Sequence, residues 1–386
     1  MKTRNFIVDA RVKMMKVLNG KYNHANVMID QIDETTETQI KSFLDHPVFQ
    51  KCHIAIMPDC HAGAGAVIGF TARIKDYVIP NIVGVDLGCG VLAIQLGKVD
   101  LDLADFDKYI KGHIPCGMKH RSMVSPNVFE DEYFDILDAI EKICFRLNLD
   151  YDDVLRQAGT LGGGNHFIEV DIDKDDNKWL LIHTGSRNFG LKVANYWQNK
   201  AKQLTSRMFV DVSKGLEFLP LEYGGAEYIE DMIIAQKFAK INRAVIKDIL
   251  AQGHDVINIE SVHNYIDKEM MIRKGAISAK EGEKLVIPLN MRDGVIIGRG
   301  KGNNLWNQSA PHGAGRIMSR SQAKKQLTIE AFKESMDGIY STCLNADTLD
   351  EAPFAYKPSE VILNAIKDTV EVEAILKPIY NFKASE

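Results

Sequence analysis

Two hydrophobic rhythms divide this chain. Between residues 53 and 96 apolar residues run in short β-prone blocks broken by glycine and proline, at Ile54–Met57, Ala66–Ile74, Tyr77–Val83 and Val91–Leu96. Blocks of this kind predict strands, and the first is expected to stop at Pro58. Trp179–His183, Val256–Ile259, Lys284–Leu289 and Val295–Ile297 predict further short strands. Elsewhere the period lengthens to that of a helix. Phe134, Leu137, Ile140, Ile143, Cys144 and Leu147 recur at three- and four-residue spacing within Asp131–Leu149. Glu227–Leu250 carries the longest stripe, with Ile229, Met232, Ile233, Phe238, Ile241, Val245, Ile246 and Ile249, and Gly253 follows as a C-cap. Ala194–Met208 shows a weaker stripe, Ser319–Met336 reads as helix, and the tail from Val361 alternates helix and strand. Asp33 opens a short helix at Glu34 that ends before Pro47. Strands and helices are mixed rather than strictly alternating, which predicts an α+β fold with layered sheets and packed helices. No repeat or composition break divides the chain, so one compact domain over residues 1–386 is expected.

Composition narrows the class. With 45% hydrophobic and 26% charged residues, and no apolar run long enough to span a bilayer, the chain reads as an ordinary globular protein. Asp9, Arg11, Lys13 and Lys16 interrupt the apolar residues of the first twenty, unlike a secretory signal. The six cysteines have no framework spacing, so a reducing cytoplasm is expected rather than disulfides. A net charge of −5 excludes a globally basic nucleic-acid binder but leaves room for a local basic groove.

The chemistry concentrates in five glycine-rich loops. Val83-Gly84-Val85-Asp86-Leu87-Gly88-Cys89-Gly90-Val91 sets a carboxylate and a thiol three residues apart, where glycines let both face one point. Gly159–Glu169 (GTLGGGNHFIE), Leu181–Gly190 (LIHTGSRNFG), Ile259–Asn264 (IESVHN) and Ser309–Arg316 (SAPHGAGR) each pair an apolar strand with a polar residue among or beside small ones. Pro58-Asp59-Cys60-His61 delivers another carboxylate and imidazole. Asp86, Cys89, His166, His183 and His263 are too many ligands for one tetrahedral ion with an open position. They suit two ions sharing Cys89, and a two-metal centre about 3.5–4 Å across suits phosphoryl chemistry. Ligand softness alone points to zinc or a mixed site. Arg187, Arg316 and glycine-loop amides are candidates for phosphate contacts. His312, outside the ligand set, is a candidate nucleophile toward phosphorus. GRGKGN at 299–304 lacks Walker A spacing, which excludes a P-loop NTPase, and the zinc-deaminase pattern is missing.

Taken in order, MPDCHAG, VGVDLGCGV, GTLGGGNHFIEV, IHTGSRNFG, SVHN and SAPHGAGRIMSR resemble the RtcB-type RNA-splicing ligases, which depend on GTP and manganese. The resemblance runs over nearly the whole chain and implies an RtcB-like fold around a central dinuclear site. It implies that Cys89 bridges two Mn2+ ions, with Asp86 and His166 completing one and His183 and His263 the other. His312 matches the histidine that is guanylylated by GTP, and Asp59 and His61 lie in a motif close to the active site. Asn165, Phe167 and Glu169 match nucleotide contacts, and Ala314 and Gly315 match backbone positions near the guanylate. Tyr356, in EAPFAYK, and Lys383, in KPIYNFK, match the guanine pocket.

The implied reaction joins RNA 3′-phosphate or 2′,3′-cyclic phosphate ends to 5′-hydroxyl ends through a His–GMP intermediate, in RNA repair or tRNA splicing, with an activating protein as a possible partner. Lys119, His120, Arg121, Arg299, Lys301, Arg316, Arg320, Lys324 and Lys325 are candidates for a basic RNA groove. The chain departs from the family where Pro288–Gly294 reads PLNMRDG rather than a PGSMG-like segment that supplies a nucleotide contact. Two alternatives stand beside the ligase: a dinuclear phosphoesterase that processes RNA ends without sealing them, and a non-catalytic RNA-binding protein.

Overall fold

The structure is a computed structural model that describes residues 15–126, 134–208, 212–254 and 256–384. The first part contains strands β1 (Lys16–Asn19) and β2 (His24–Val27), helix α1 (Glu34–Leu44), and strands β3 (Ile54–His61), β4 (Ile68–Arg73) and β5 (Tyr77–Val78). It closes with a short helix α2 (Pro80–Val83), strand β6 (Gly90–Gly97) and helix α3 (Leu103–His113). Asp33 caps α1 as expected, accepting from the Thr36 N–H. Two expectations fail here. The Tyr77–Val83 block is not one strand, because Pro80 stands at the first turn of α2. β3 does not stop at Pro58 either. It continues to His61 and loses register with β4 between Ile56 and His61, so Asp59 sits on a bulged strand rather than a loop.

The middle of the chain holds α4 (Phe134–Leu147), α5 (Tyr151–Arg156), β7 (Phe167–Ile172), β8 (Lys178–Thr184), α6 (Arg187–Arg207), β9 (Leu219–Pro220) and α7 (Ala226–Ala251). The start expected for α4, Asp131–Tyr133, lies outside the described residues. α6 begins seven residues before Ala194, directly from the IHTGSR motif, because Arg187 takes a positive φ of 58° and turns the chain from strand into helix. Gln252, in the left-handed region, and Gly253, at φ 86°, end α7 where a C-cap was expected.

The last part contains β10 (Ile257–Val262), β11 (Tyr265–Ile266), β12 (Met271–Lys274), β13 (Ala276–Ser278), β14 (Lys284–Asn290), β15 (Gly294–Gly300) and β16 (Ser309–Pro311). It ends with α8 (Arg320–Gln326), α9 (Ile329–Ser335), α10 (Ser359–Ala365) and β17 (Val370–Lys383). The helix read over Ser319–Met336 is two, since Thr328 caps a new one.

The architecture is α+β, as the mixed order predicts. One sheet has the order β1-β2-β3-β4-β12-β11, with β2 and β3 parallel. The other has the order β10-β6-β8-β7-β17-β15-β14 and is antiparallel throughout. α7 joins the two cores. Its Met232, Phe238, Ile241 and Val245 bury among β3, β4, α1, α4 and α6, while Ile246 and Leu250 bury against β6, β7, β8 and β17. Each such side chain contributes about 1.5–3 kcal/mol relative to exposure.

The antiparallel order explains where function gathers. Along β10-β6-β8-β7-β17, alternate strands present their C- and N-termini at one edge. His263 follows β10, Cys89 precedes β6, His183 is the penultimate residue of β8, His166 precedes β7, and Lys383 ends β17. Five residues distant in sequence therefore stand side by side.

Candidate active site

Cys89 and Asp86 meet because the chain makes a tight turn, with the Cys89 N–H donating to Asp86 O at 3.3 Å and Gly88 at φ 67°. A Cβ on Gly88 would stand 2.6 Å from Gln236 Cα, so glycine is required there by close approach as well as by φ. The His263 N–H donates to Cys89 O at 2.8 Å and locks the SVHN loop beside this turn. The sulfur of Cys89 lies 3.4 Å from His166 Nε2 and 3.3 Å from His183 Nε2, all three residues buried. Asp86 Oδ2 is 2.9 Å from His166 Nε2. The His183 and His263 rings are 5.4 Å apart.

The hydrogen bonds on the far side of each ring fix its tautomer. His166 Nδ1–H donates to Leu161 O at 2.9 Å and His183 Nδ1–H to Asn165 O at 3.2 Å. Each ring then turns an Nε2 lone pair toward Cys89. Two imidazole nitrogens, a thiol sulfur and a carboxylate oxygen thus converge. Burial pushes the Cys89 thiol well up, and the neighbouring Asp86 charge pushes it further. Burial keeps His183 and His263 neutral. Such a donor set fits divalent ions with mixed N, O and S ligands.

Beside the cluster opens a cavity of about 290 Å³. His61, Asp86, Cys89, Asn165, Phe167, Glu169, His183, His263, His312, Ala314, Gly315, Arg316, Tyr356 and Lys383 line it. Of the residues singled out from sequence, Asp59, His166 and Arg187 stand behind this lining. Arg187 lies 3.2 Å from His166 Nδ1 and donates to Thr160 Oγ1 at 3.3 Å.

His312 comes from the other side of the cavity. Its ring is 4.7 Å from that of His263. The fully buried Asp59 accepts from His312 Nδ1–H at 2.6 Å and from its backbone N–H at 3.2 Å. Nε2 is thereby left as the free, lone-pair-bearing nitrogen. The bulge in β3 is what aims Asp59 at it. Lys357 holds that bulge by donating to Pro58 O at 2.7 Å and Cys60 O at 2.8 Å. Gly315, at φ 74°, packs so closely that a Cβ would fall 2.1 Å from Asp59 O. His61 accepts no charge easily: burial depresses its pKa to about 4, and its Nδ1 sits 2.9 Å from Asp59 O.

The remaining wall is polar and ionic. Glu351, fully buried, accepts from Lys383 at 2.5 Å, Tyr356 at 2.7 Å, Arg320 at 3.1 Å and Arg316 at 3.2 Å. Arg316 also donates to Met318 O and Asp350 O. Its guanidinium helps to build this wall and also lines the cavity. Glu169 bonds Asn381 on β17, and burial pushes its pKa up to about 7. Lys383 lies over the Phe167 ring, 5.5 Å from its centre. The departing Pro288–Gly294 segment forms the turn between β14 and β15, where Asn290 Oδ1 accepts from the Arg292 and Asp293 N–H groups and Pro288 to Met291 line the cavity.

The sequence reading gave no role to Glu351, Lys357, Asn264 or Asn381. The first three sit inside motifs already recognised, EAPFAYK and SVHN, so the signal was there. Asn381 likewise sits inside KPIYNFK, the motif that carries Lys383. The basic-groove candidates split. Lys119–Arg121 adjoin the Gly159–Gly164 loop through Gly117 N–H to Gly162 O, and Arg320 and Lys324 pair with Asp350 beside the cavity. Arg299 and Lys301 lie at the far end of the β14–β15 hairpin, paired with Glu373 and Lys367 O. At about 3.4 Å per residue they are roughly 17 Å or more beyond Gly294, away from the cavity.

Comparison with known proteins agrees with this geometry. The sequence profile of the family described as tRNA-splicing ligase RtcB matches residues 39–384. The chain is 33% identical to the RNA-splicing ligase RtcB of Escherichia coli (strain K12), over 85% of this chain and 89% of that protein. It is 28% identical to the tRNA-splicing ligase RtcB of Aeropyrum pernix, over 78% of this chain and 81% of that protein. The buried histidine–cysteine cluster, the histidine across the cavity from it and a match over most of the length place this chain in the RtcB family of tRNA-splicing ligases.

Proposed function

We propose that this protein is an RNA ligase of RNA repair or tRNA splicing that joins 3′-phosphate or 2′,3′-cyclic phosphate ends to 5′-hydroxyl ends, using GTP. His312 is the nucleophile, and the metal centre takes two Mn2+ ions. The observation that supports this most is the Asp59–His312 pair, which turns a lone-pair-bearing Nε2 into a cavity flanked by the ligand cluster. Asp86, Cys89 and His166 would hold one ion and Cys89, His183 and His263 the other. When bound, the ions supply positive charge against phosphate oxygens, the usual requirement of phosphoryl transfer.

The chain's own residues do the rest. His312 Nε2 attacks the α-phosphorus of GTP, an N–P bond forms and pyrophosphate leaves. Positive charge then develops on the ring, and the Asp59 carboxylate on Nδ1–H stabilises it. An oxygen of the RNA 3′-phosphate, which water supplies from a 2′,3′-cyclic end by hydrolysis of its P–O2′ bond, next attacks that phosphorus, and the N–P bond breaks to restore the neutral ring. Finally the 5′-hydroxyl attacks the activated 3′-phosphate and expels GMP. Lys383, Glu351, Tyr356, Glu169 and Phe167 form the wall against which the guanine is held. Arg187 contributes positive charge behind His166. No helix among the described residues is long and apolar enough to cross a membrane, and the reading is of a cytoplasmic enzyme acting on RNA, with an accessory activating protein as a possible partner.

The test is to incubate the protein with GTP labelled at the α-phosphate and Mn2+, then denature it. The reading expects acid-labile, alkali-stable label on protein that is lost in His312→Ala. Absence of label from metal-replete protein, with RNA ends still hydrolysed, would replace the ligase with a phosphoesterase.

A further inference from the structure

α7 carries two consecutive polar residues with no solvent contact, Asn242 at 0% exposed and Arg243 at 1%. Neither touches the cavity, and neither belongs to a recognised motif. Their hydrogen bonds lead to the ligand loops. Asn242 Oδ1 accepts from the Gly159 and Thr160 N–H groups at 2.8 and 2.9 Å, at the root of the loop that ends in His166. Its Nδ2 donates to Thr184 Oγ1 at 3.2 Å and Gly185 O at 3.0 Å, immediately after His183. Thr184 Oγ1 passes the link on, donating to Leu161 O at 2.8 Å. That same carbonyl receives His166 Nδ1–H.

Arg243 continues the pattern. Nη1 donates to Thr184 O at 2.8 Å and to Gly88 O at 3.0 Å, the residue before Cys89. Nε donates to Glu260 at 2.6 Å, on the strand that leads into His263. Gly90, on the other flank of Cys89, lies close by: a Cβ there would stand 3.4 Å from the guanidinium carbon. A rigid helix therefore touches all four loops that supply His166, His183, Cys89 and His263. A buried guanidinium is expensive, and a fold that needed only packing here would place an apolar side chain. Nε and Nη1 of Arg243 make three hydrogen bonds to the ligand-bearing segments, while Nη2 is buried without a partner.

We propose that Asn242 and Arg243 are positioning residues for the metal centre, setting the spacing of the ligand loops and hence the affinity for divalent cations. This deepens the metal-dependent reading above and rests on it. The planar guanidinium spans two carbonyls and a carboxylate at once, which a lysine ammonium cannot match. Residues that orient ligands in this way typically change metal affinity by roughly 10–100-fold when altered.

The experiment uses the full chain, Mn2+ as probe and the free-ion electron paramagnetic resonance signal to measure binding. Thermal unfolding of the metal-free protein serves as a control. Arg243→Lys and Asn242→Ala are expected to weaken Mn2+ binding at least tenfold. The Mn2+ concentration for half-maximal guanylylation should rise with it, while the rate at saturating Mn2+ returns toward wild type. Thr184→Val should weaken Mn2+ binding in the same way and Thr184→Ser should restore it, which keeps the inference testable if an α7 variant fails to fold. Wild-type Mn2+ affinity in folded Arg243→Lys and Thr184→Val overturns it. Cys89→Ala separates the two levels. If wild type binds Mn2+ and Cys89→Ala does not, the metal centre stands and only the positioning role is at stake. If wild type itself binds no Mn2+, both fall.

Discussion

Asp59→Asn isolates one charge at the centre of the proposed chemistry. Asp59 Oδ2 takes both donors from His312, the ring Nδ1–H and the backbone N–H, whereas Oδ1 is buried without a partner. An asparagine can keep its oxygen where Oδ2 stands and put its amide where Oδ1 stands, so the geometry survives while the negative charge is lost. A hydrogen bond to a charged group contributes about 1.5–3 kcal/mol, more than a neutral one. That charge matters most when His312 becomes cationic on attack, so its loss falls on the transition state rather than on GTP binding. Asparagine keeps a neutral hydrogen bond, so the loss is the difference of about 1–1.5 kcal/mol, and at tenfold per 1.36 kcal/mol guanylylation should slow by roughly 5- to 13-fold. The assay is single-turnover labelling of the protein at saturating GTP and Mn2+, with Mn2+ binding measured in parallel and expected to be unchanged. A variant that reacts at the wild-type rate refutes the reasoning. A variant that is slow because it has lost Mn2+ refutes it too, since Asp59 would then act through the ligand cluster.

Three further outcomes follow from the same geometry. Cys89→Ser replaces the shared sulfur with a weaker ligand, and elemental analysis after dialysis should find less than half the wild-type metal; full retention would remove Cys89 from the bridging position. Burial acts to raise the Glu351 pKa, but the charges of Lys383, Arg320 and Arg316 and the Lys383 hydrogen bond hold it at about 2 against an ordinary value of 4.5. Its stabilisation, roughly 3 kcal/mol, is present above pH 4.5 and lost as pH falls toward 2. Urea midpoints compared between wild type and Glu351→Gln should therefore converge over that window, and parallel curves would contradict the assignment. Gly315→Ala would force a Cβ to 2.1 Å from Asp59 O at a positive φ. It should lower stability by about 2 kcal/mol or more and cut guanylylation, measured by thermal unfolding and labelling together; a neutral effect would mean the loop moves freely.

The element types were legible where one period dominates. The α7 stripe and the β14–β15 strands sit within a few residues of their expected bounds; in the two strands burial on both faces leaves an almost continuous apolar run. Boundaries failed where a special residue overrides the period: Arg187 at positive φ starts α6 early, and Thr328 divides a helical stretch in two. The candidate ligands were legible for a different reason. Each sits at a strand end among small residues, a combination that ordinary hairpins do not need. What sequence could not supply is adjacency. Nothing in the spacing of residues 89, 166, 183 and 263 says that β10, β6, β8 and β7 are neighbours; that order follows only from the pairing registers. Asn242 and Arg243 were invisible for the complementary reason. On a helix they read as two polar positions at the edge of an apolar stripe, a pattern that usually marks a solvated face. Burial reverses that meaning, because a polar side chain kept from water must spend its hydrogen bonds on the protein. Here it spends them on the loops that hold the ligands. Residues that act on ligands declare themselves in local chemistry, whereas residues that place those ligands are recognised by where their hydrogen bonds end.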